Sequence, residues 1–70
     1  MSHYYINKNQ QANGDHEVHI DTCSYLPSEP NRIYLGNYYS CAPAVAEAKR
    51  RWPTNRINGC FYCCRPCHTS

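Results

Sequence analysis

The sequence predicts an α+β fold: a small antiparallel sheet of three to four strands with one helix packed on it, in the order β-β-β-α-β. Three observations carry this expectation. Two strand-like runs near the N-terminus flank an Asn-Gly turn signal. The stretch Cys41 to Trp52 repeats its apolar residues at helical spacing, and a short β-prone run follows it. A single apolar stripe is buried most simply against one face of a sheet. Seventy residues make one domain, 1–70, with no room for a second.

The first strand is read at His3 to Lys8, where Tyr4, Tyr5 and Ile6 favour extended backbone. Asn9 to Asp15 supplies turn chemistry, because Asn13-Gly14 readily takes positive φ. His16 to Ile20 follows as the second strand of a hairpin. Alternation there places His16, Val18 and Ile20 on one face and Glu17 and His19 on the other. Thr22 to Asn31 holds two prolines and two serines and reads as a surface loop. Arg32 to Tyr39 resumes strand character, with Gly36 marking a bulge or a close backbone approach. Ser40 is placed to cap the helix, and Pro43 falls in its first turn, where a missing N–H costs little. Cys41, Val45, Ala48 and Trp52, with Ala44 beside them, form the apolar stripe. Lys49, Arg50 and Arg51 complement the helix dipole in the last turn, and Pro53 ends the helix. Asn55 to Gly59 is a turn-rich return, and Cys60-Phe61-Tyr62-Cys63 is expected as a short final strand.

Six cysteines in 70 residues dominate the chemistry. Burial in so small a domain about balances the entropy of ordering it, so the thiols are read as either crosslinked or holding a metal. A structural zinc contributes about 10–16 kcal/mol of apparent binding energy, against about 2–4 kcal/mol for a disulfide. Met1-Ser2-His3-Tyr4 shows no basic and apolar export pattern, and no run approaches the ~20 apolar residues that cross a bilayer. A cytoplasmic chain with reduced thiols is therefore expected, and metal is favoured over crosslinks. No membrane role is expected. The net charge of +2 neither demands nor excludes nucleic acid.

Zinc takes four N or S ligands in a tetrahedron, and a Cys-x2-Cys turn brings two thiolates to one ion. His19 and Cys23 form one candidate pair. The second is either Cys60 with Cys63 or Cys64 with Cys67. Cys63 and Cys64 are neighbours, which in extended backbone point to opposite faces and do not serve one ion together. Gly59 gives the first pair backbone freedom, and Pro66 stiffens the second. Composition leaves the two nearly even. Cys41, on the inner stripe of the helix, reads as a small core residue. His16 reads as a half-buried sheet residue, His68 as a ligand or a group supporting one, His3 as a solvated terminal residue, and Trp52 as a core plug.

The ensemble Asn13-Gly14-Asp15-His16-Glu17-Val18-His19, Ile33-Tyr34-Leu35-Gly36, Ser40-Cys41 with Ala44-Val45 and Ala48-Lys49, and Asn58-Gly59-Cys60-x-x-Cys63 with His68-Thr69-Ser70 resembles a family of small bacterial proteins without an established function. The resemblance covers nearly the whole chain. It centres on Cys60, Cys63 and His68, and positions equivalent to Cys64 and Cys67 are sometimes filled otherwise. It thus implies His19, Cys23, Cys60 and Cys63 as the ligand set. A fainter similarity links the chain to zinc modules that pair His-x3-Cys with a later Cys-x2-Cys, as in some bacterial DNA-repair proteins. The doubled cysteines and the missing Gly-Tyr-x-Pro lead-in depart from those modules, so the similarity bears on ligands more than on activity.

The expected function is a non-enzymatic, zinc-stabilised binding module with a protein partner. One alternative is a nucleic-acid-binding module that uses Lys49, Arg50, Arg51 and Arg56 with strand tyrosines as stacking surfaces. A thiol redox protein is the other, but redox Cys-x2-Cys pairs sit at a helix N-terminus, and these follow the helix.

Overall fold

The computed structural model describes residues 1–69, so the final serine of the His68-Thr69-Ser70 ending lies outside them. Strands β1 (Ser2–Asn7), β2 (His16–Ile20), β3 (Arg32–Tyr38) and β4 (Ile57–Gly59) form one sheet in the order β3-β1-β2-β4, and helix α1 (Cys41–Arg51) packs against all four. The α+β architecture and the β-β-β-α-β order are as expected.

The pairing differs at the last strand. β1 is antiparallel to both β2 and β3, but β4 adds parallel to β2, with His16 opposite Ile57 and Val18 opposite Gly59. The sheet is mixed rather than antiparallel. β2 and β3 both run against β1, and the helical crossover from β3 returns the chain in the direction of β3. β4 must therefore run parallel to β2. The final strand also lies earlier than Cys60–Cys63. Cys60 still donates its N–H to the Val18 carbonyl, but Cys64 N–H then bonds the Cys60 carbonyl at 2.8 Å and closes a turn. The residues read as a strand form the knuckle that follows it.

The hairpin between β1 and β2 turns where Asn13-Gly14 predicts, with Gly14 at φ 93°. A bulge at Leu35 shifts the β1–β3 register between Tyr4 and Tyr5, beside Gly36 at φ 140°. A Cβ on Gly36 would meet the Tyr38 ring at 2.9 Å, so both the backbone and the space select glycine. Ser40 occupies the N-cap position of α1 without a side-chain capping bond.

The core lies between α1 and the sheet. Cys41, Ala44, Val45 and Ala48 meet Tyr4, Ile6, Val18 and Leu35, and Trp52 packs against the margin. Ala44 and Ala48 are fully buried, so small side chains let the helix approach the strands closely. The arginines of the last turn are engaged locally. Glu47 accepts hydrogen bonds from Arg50 and Arg51, which hold its carboxyl at about 2, and Arg51 also donates to the Tyr34 and Leu35 carbonyls of β3.

Cys41 corrects the expectation of a purely packing residue. It forms a disulfide with Cys67, in the short 3-10 turn Arg65–Cys67, and so ties the first residue of α1 to the C-terminal segment. Sequence spacing had no means of pairing thiols 26 residues apart. Both residues reach the same corner because β4 brings the tail back beneath the helix N-terminus.

Two outcomes test this packing. Gly59 is the tightest point of the return: a Cβ there would lie 2.7 Å from Cys67 Cβ and 2.8 Å from the Cys64 carbonyl oxygen. Gly59→Ala is expected to destabilise the chain by about 1–3 kcal/mol in urea unfolding, the range for overpacking, and a change within error would refute the close approach. In the oxidised chain, Cys41→Ala is expected to cost about 3–4 kcal/mol, as for a loop of this length, and a reductant should remove most of the difference from wild type. Equal stabilities before reduction would show that the crosslink does not hold the fold.

Candidate metal centre

His19 and Cys23 come from β2 and the loop after it, and Cys60 and Cys63 from the knuckle after β4. Parallel pairing of β4 with β2 aligns the ends of the two strands, so each delivers its ligand pair to the same corner. Strand alternation sends Val18 under the helix and His19 to the opposite face. Both are buried, His19 at 2% exposure.

The structure brings all four of these residues together. One ligand atom from each of His19, Cys23, Cys60 and Cys63 lies within 4.8 Å of the others. Cys23 Sγ is 3.9 Å from Cys60 Sγ, and Cys63 Sγ is 3.9 Å from His19 Nδ1. Zinc–sulfur bonds of about 2.3 Å place two sulfurs of a tetrahedron about 3.8 Å apart. The quartet is therefore close to the spacing that a tetrahedral ion requires, and it lies close enough to hold one.

The surroundings suit deprotonated ligands. Backbone N–H groups of Ile20 and Tyr25 point at Cys63 Sγ and Cys23 Sγ, each at 3.4 Å. Glu17, two residues before His19 and on the same face of β2, puts Oε1 3.6 Å from His19 Nε2. That carboxylate favours a proton on Nε2 and leaves the Nδ1 lone pair facing the sulfurs, the arrangement by which an outer carboxylate orients a histidine ligand. Burial pushes the Cys60 and Cys63 thiols up and His19 down, because each charged form loses its water. A metal ion must therefore displace the protons of the Cys60 and Cys63 thiols to enter.

The other candidates are placed elsewhere. Cys67 is taken up in the disulfide with Cys41, which removes the Cys64/Cys67 alternative as a pair of free thiols. Cys64 is fully buried, with its sulfur 3.9 Å from Cys63 Sγ. Adjacent cysteines were expected to point apart, as in a strand. The knuckle is a turn, and there two neighbouring sulfurs can face the same interior. His68 Nδ1 lies 3.0 Å from the Gly59 carbonyl and so donates to it, supporting the knuckle from outside the quartet. His16 is half-buried and its Nδ1 donates to the Asn7 carbonyl at 3.0 Å. His3 is not merely solvated, since its Nδ1 is 2.8 Å from the Tyr34 hydroxyl.

A polar knot that sequence reasoning missed positions the knuckle. Asp15 is buried at the base of the hairpin turn and accepts from Arg56 Nε at 2.9 Å and Asn58 Nδ2 at 3.2 Å. Asn58 Oδ1 in turn accepts from the backbone N–H groups of Gly59 and Thr69. These bonds tie the hairpin, β4 and the C-terminal segment at the threshold of Cys60. The signal in the sequence was only an aspartate and an asparagine in stretches read as turns, types that more often face water.

The arrangement predicts distinct outcomes for neighbouring cysteines. Cys63→Ser should lose most of the bound metal, and Cys64→Ser and Cys67→Ser should each retain it, as read by metal content after gel filtration. Metal kept by Cys60→Ser and lost from Cys64→Ser would move the centre to the other thiols.

No family model matches the sequence, nor does any curated protein or solved structure.

Proposed function

We propose that the chain is a non-enzymatic, zinc-stabilised binding module whose partner is a protein. The observation that carries the reading is the quartet itself: three thiols and one imidazole within 4.8 Å of one another, supplied by two segments far apart in sequence. Zinc fits this donor set by ligand softness and by tetrahedral spacing. Four protein ligands complete its coordination and leave no position for a substrate, as in structural rather than catalytic sites. The role of the ion is then to fasten the β4 knuckle to the end of β2.

Other features weigh against the two alternatives. Arg50 and Arg51 are engaged with Glu47 and with β3 carbonyls, and Arg56 with Asp15, so the basic run is largely committed within the fold. A redox dithiol needs a lowered thiol pKa, whereas burial raises those of Cys60 and Cys63. No helix among the described residues is long and apolar enough to cross a membrane.

The test is elemental analysis of protein purified without added metal, followed by unfolding with and without chelator. One zinc per chain is expected. Chelation or acid, which returns protons to the thiols, should broaden and lower the cooperative transition. A metal-free chain that unfolds as cooperatively, and at the same denaturant concentration, would overturn the reading.

A further inference from the structure

The loops that carry the metal ligands also carry a contiguous aromatic surface. Tyr25, two residues after Cys23, stacks on Tyr62, with ring centres 4.4 Å apart. Phe61 meets Tyr62 edge-on at 5.3 Å, and the Arg65 guanidinium lies over the Phe61 ring at 4.9 Å. Tyr25 and Tyr62 remain 58% and 67% exposed, although each ring already covers part of the other. Large rings left in water on two converging loops are costly unless something covers them, and tyrosine is a residue type that dominates binding hot spots.

Charge decides what covers them. The groove that the tyrosines border is also lined by Ile20, Thr22, Cys23 and Cys63, two of them members of the quartet. Three thiolates outweigh a divalent ion by one charge, so the loaded centre beneath the groove is anionic. Glu17 adds its carboxylate beside His19. Aromatic faces above an anionic floor attract cations, and Arg65 over Phe61 shows one such contact made within the chain.

From this geometry we propose that the Tyr25–Tyr62 surface docks a basic, extended protein segment, whose lysine or arginine side chains lie against the tyrosine faces above the metal centre. The inference rests on the zinc-module reading and names the chemistry of its partner. A polyanion such as single-stranded nucleic acid would find stacking surfaces here but would meet the negative charge of the centre.

Calorimetric titration of the zinc-loaded chain tests it with three probes: a Lys/Arg-rich peptide, a Glu-rich peptide of the same length, and a single-stranded oligothymidylate. The basic peptide is expected to bind, with affinity falling as salt rises, and the other two are not. Tyr25→Ala and Tyr62→Ala should each weaken binding about fivefold with zinc content unchanged. Tyr39→Ala, at a tyrosine 87% exposed elsewhere, should have no effect. Preference for the oligothymidylate, equal binding of the two peptides, or indifference to both tyrosine substitutions would overturn the proposal. Zinc retained without peptide binding refutes this surface and leaves the metal reading standing. A chain that retains no zinc refutes both.

Discussion

Three thiols and an imidazole brought to one corner of the sheet set the terms for the rest of the molecule. Burial disfavours the charged forms of Cys60, Cys63 and His19, so these ligands resist ionising unless a cation arrives. The same desolvation that makes the ligands reluctant to ionise strengthens their attraction to a metal once they do. Everything around the corner helps to hold this balance. Parallel pairing of β4 with β2 aligns the ligand pairs, Gly59 lets the tail cross close to the strand, and the Asp15–Asn58 knot fixes where the knuckle starts. β4 is only three residues long, so its hydrogen bonds alone give little hold. A fastening beyond backbone pairing is the physical requirement that the thiols meet.

The cysteines divide this work. Reading them as either crosslinked or metal-holding treats six thiols as one population, and the structure separates them by position. Cys41 and Cys67 join the helix start to the C-terminal segment, and Cys23, Cys60 and Cys63 meet His19 at the sheet corner. Cys64 lies between the two sets, fully buried and packed with the core. One crosslink anchors the tail to the helix, and the quartet gathers the knuckle against the end of β2, so the same short segment meets the fold on both sides. That arrangement explains how a strand of three residues can end a fold of this size.

Much of this was legible in the sequence. Asn13-Gly14 gave the hairpin, Gly36 the bulge, and Cys41 to Trp52 the helix with its buried stripe, because each is a local signal with a local cause. Of the residues that converge, His19 and Cys23 were readable as a pair, since His-x3-Cys is a local spacing, whereas the Cys-x2-Cys spacing left Cys60 with Cys63 and Cys64 with Cys67 nearly even. What escaped was non-local. The direction of β4 follows from the crossover rather than from its residues. The Cys41–Cys67 pair depends on where the tail returns, and the burial of Asp15 depends on Arg56 and Asn58 arriving from the other end of the chain. The orientation of Cys64 was misread for a related reason, although Cys64 does stay out of the quartet: a turn and a strand impose opposite rules on adjacent side chains, and composition alone assigned Cys60–Cys63 to the strand.

The two edges of the sheet are unequal, and this bears on where the molecule can meet another. β3 is a long edge strand of the kind that invites pairing with a further chain. Its bulge breaks the flat ladder, Tyr38 bonds the Leu35 carbonyl at 3.1 Å, and Arg51 reaches across from α1 to the Tyr34 and Leu35 carbonyls. Acceptors at the middle of the edge are thereby occupied from within. At the other end of the sheet β4 is short, and the chain beyond it folds away into the knuckle. Backbone pairing is thus blunted on both sides, and side chains are left as the means of contact. The large exposed rings that adjoin one another on the loops are those of Tyr25, Phe61 and Tyr62, so the same two loops that bring the quartet together also set the spacing of this surface.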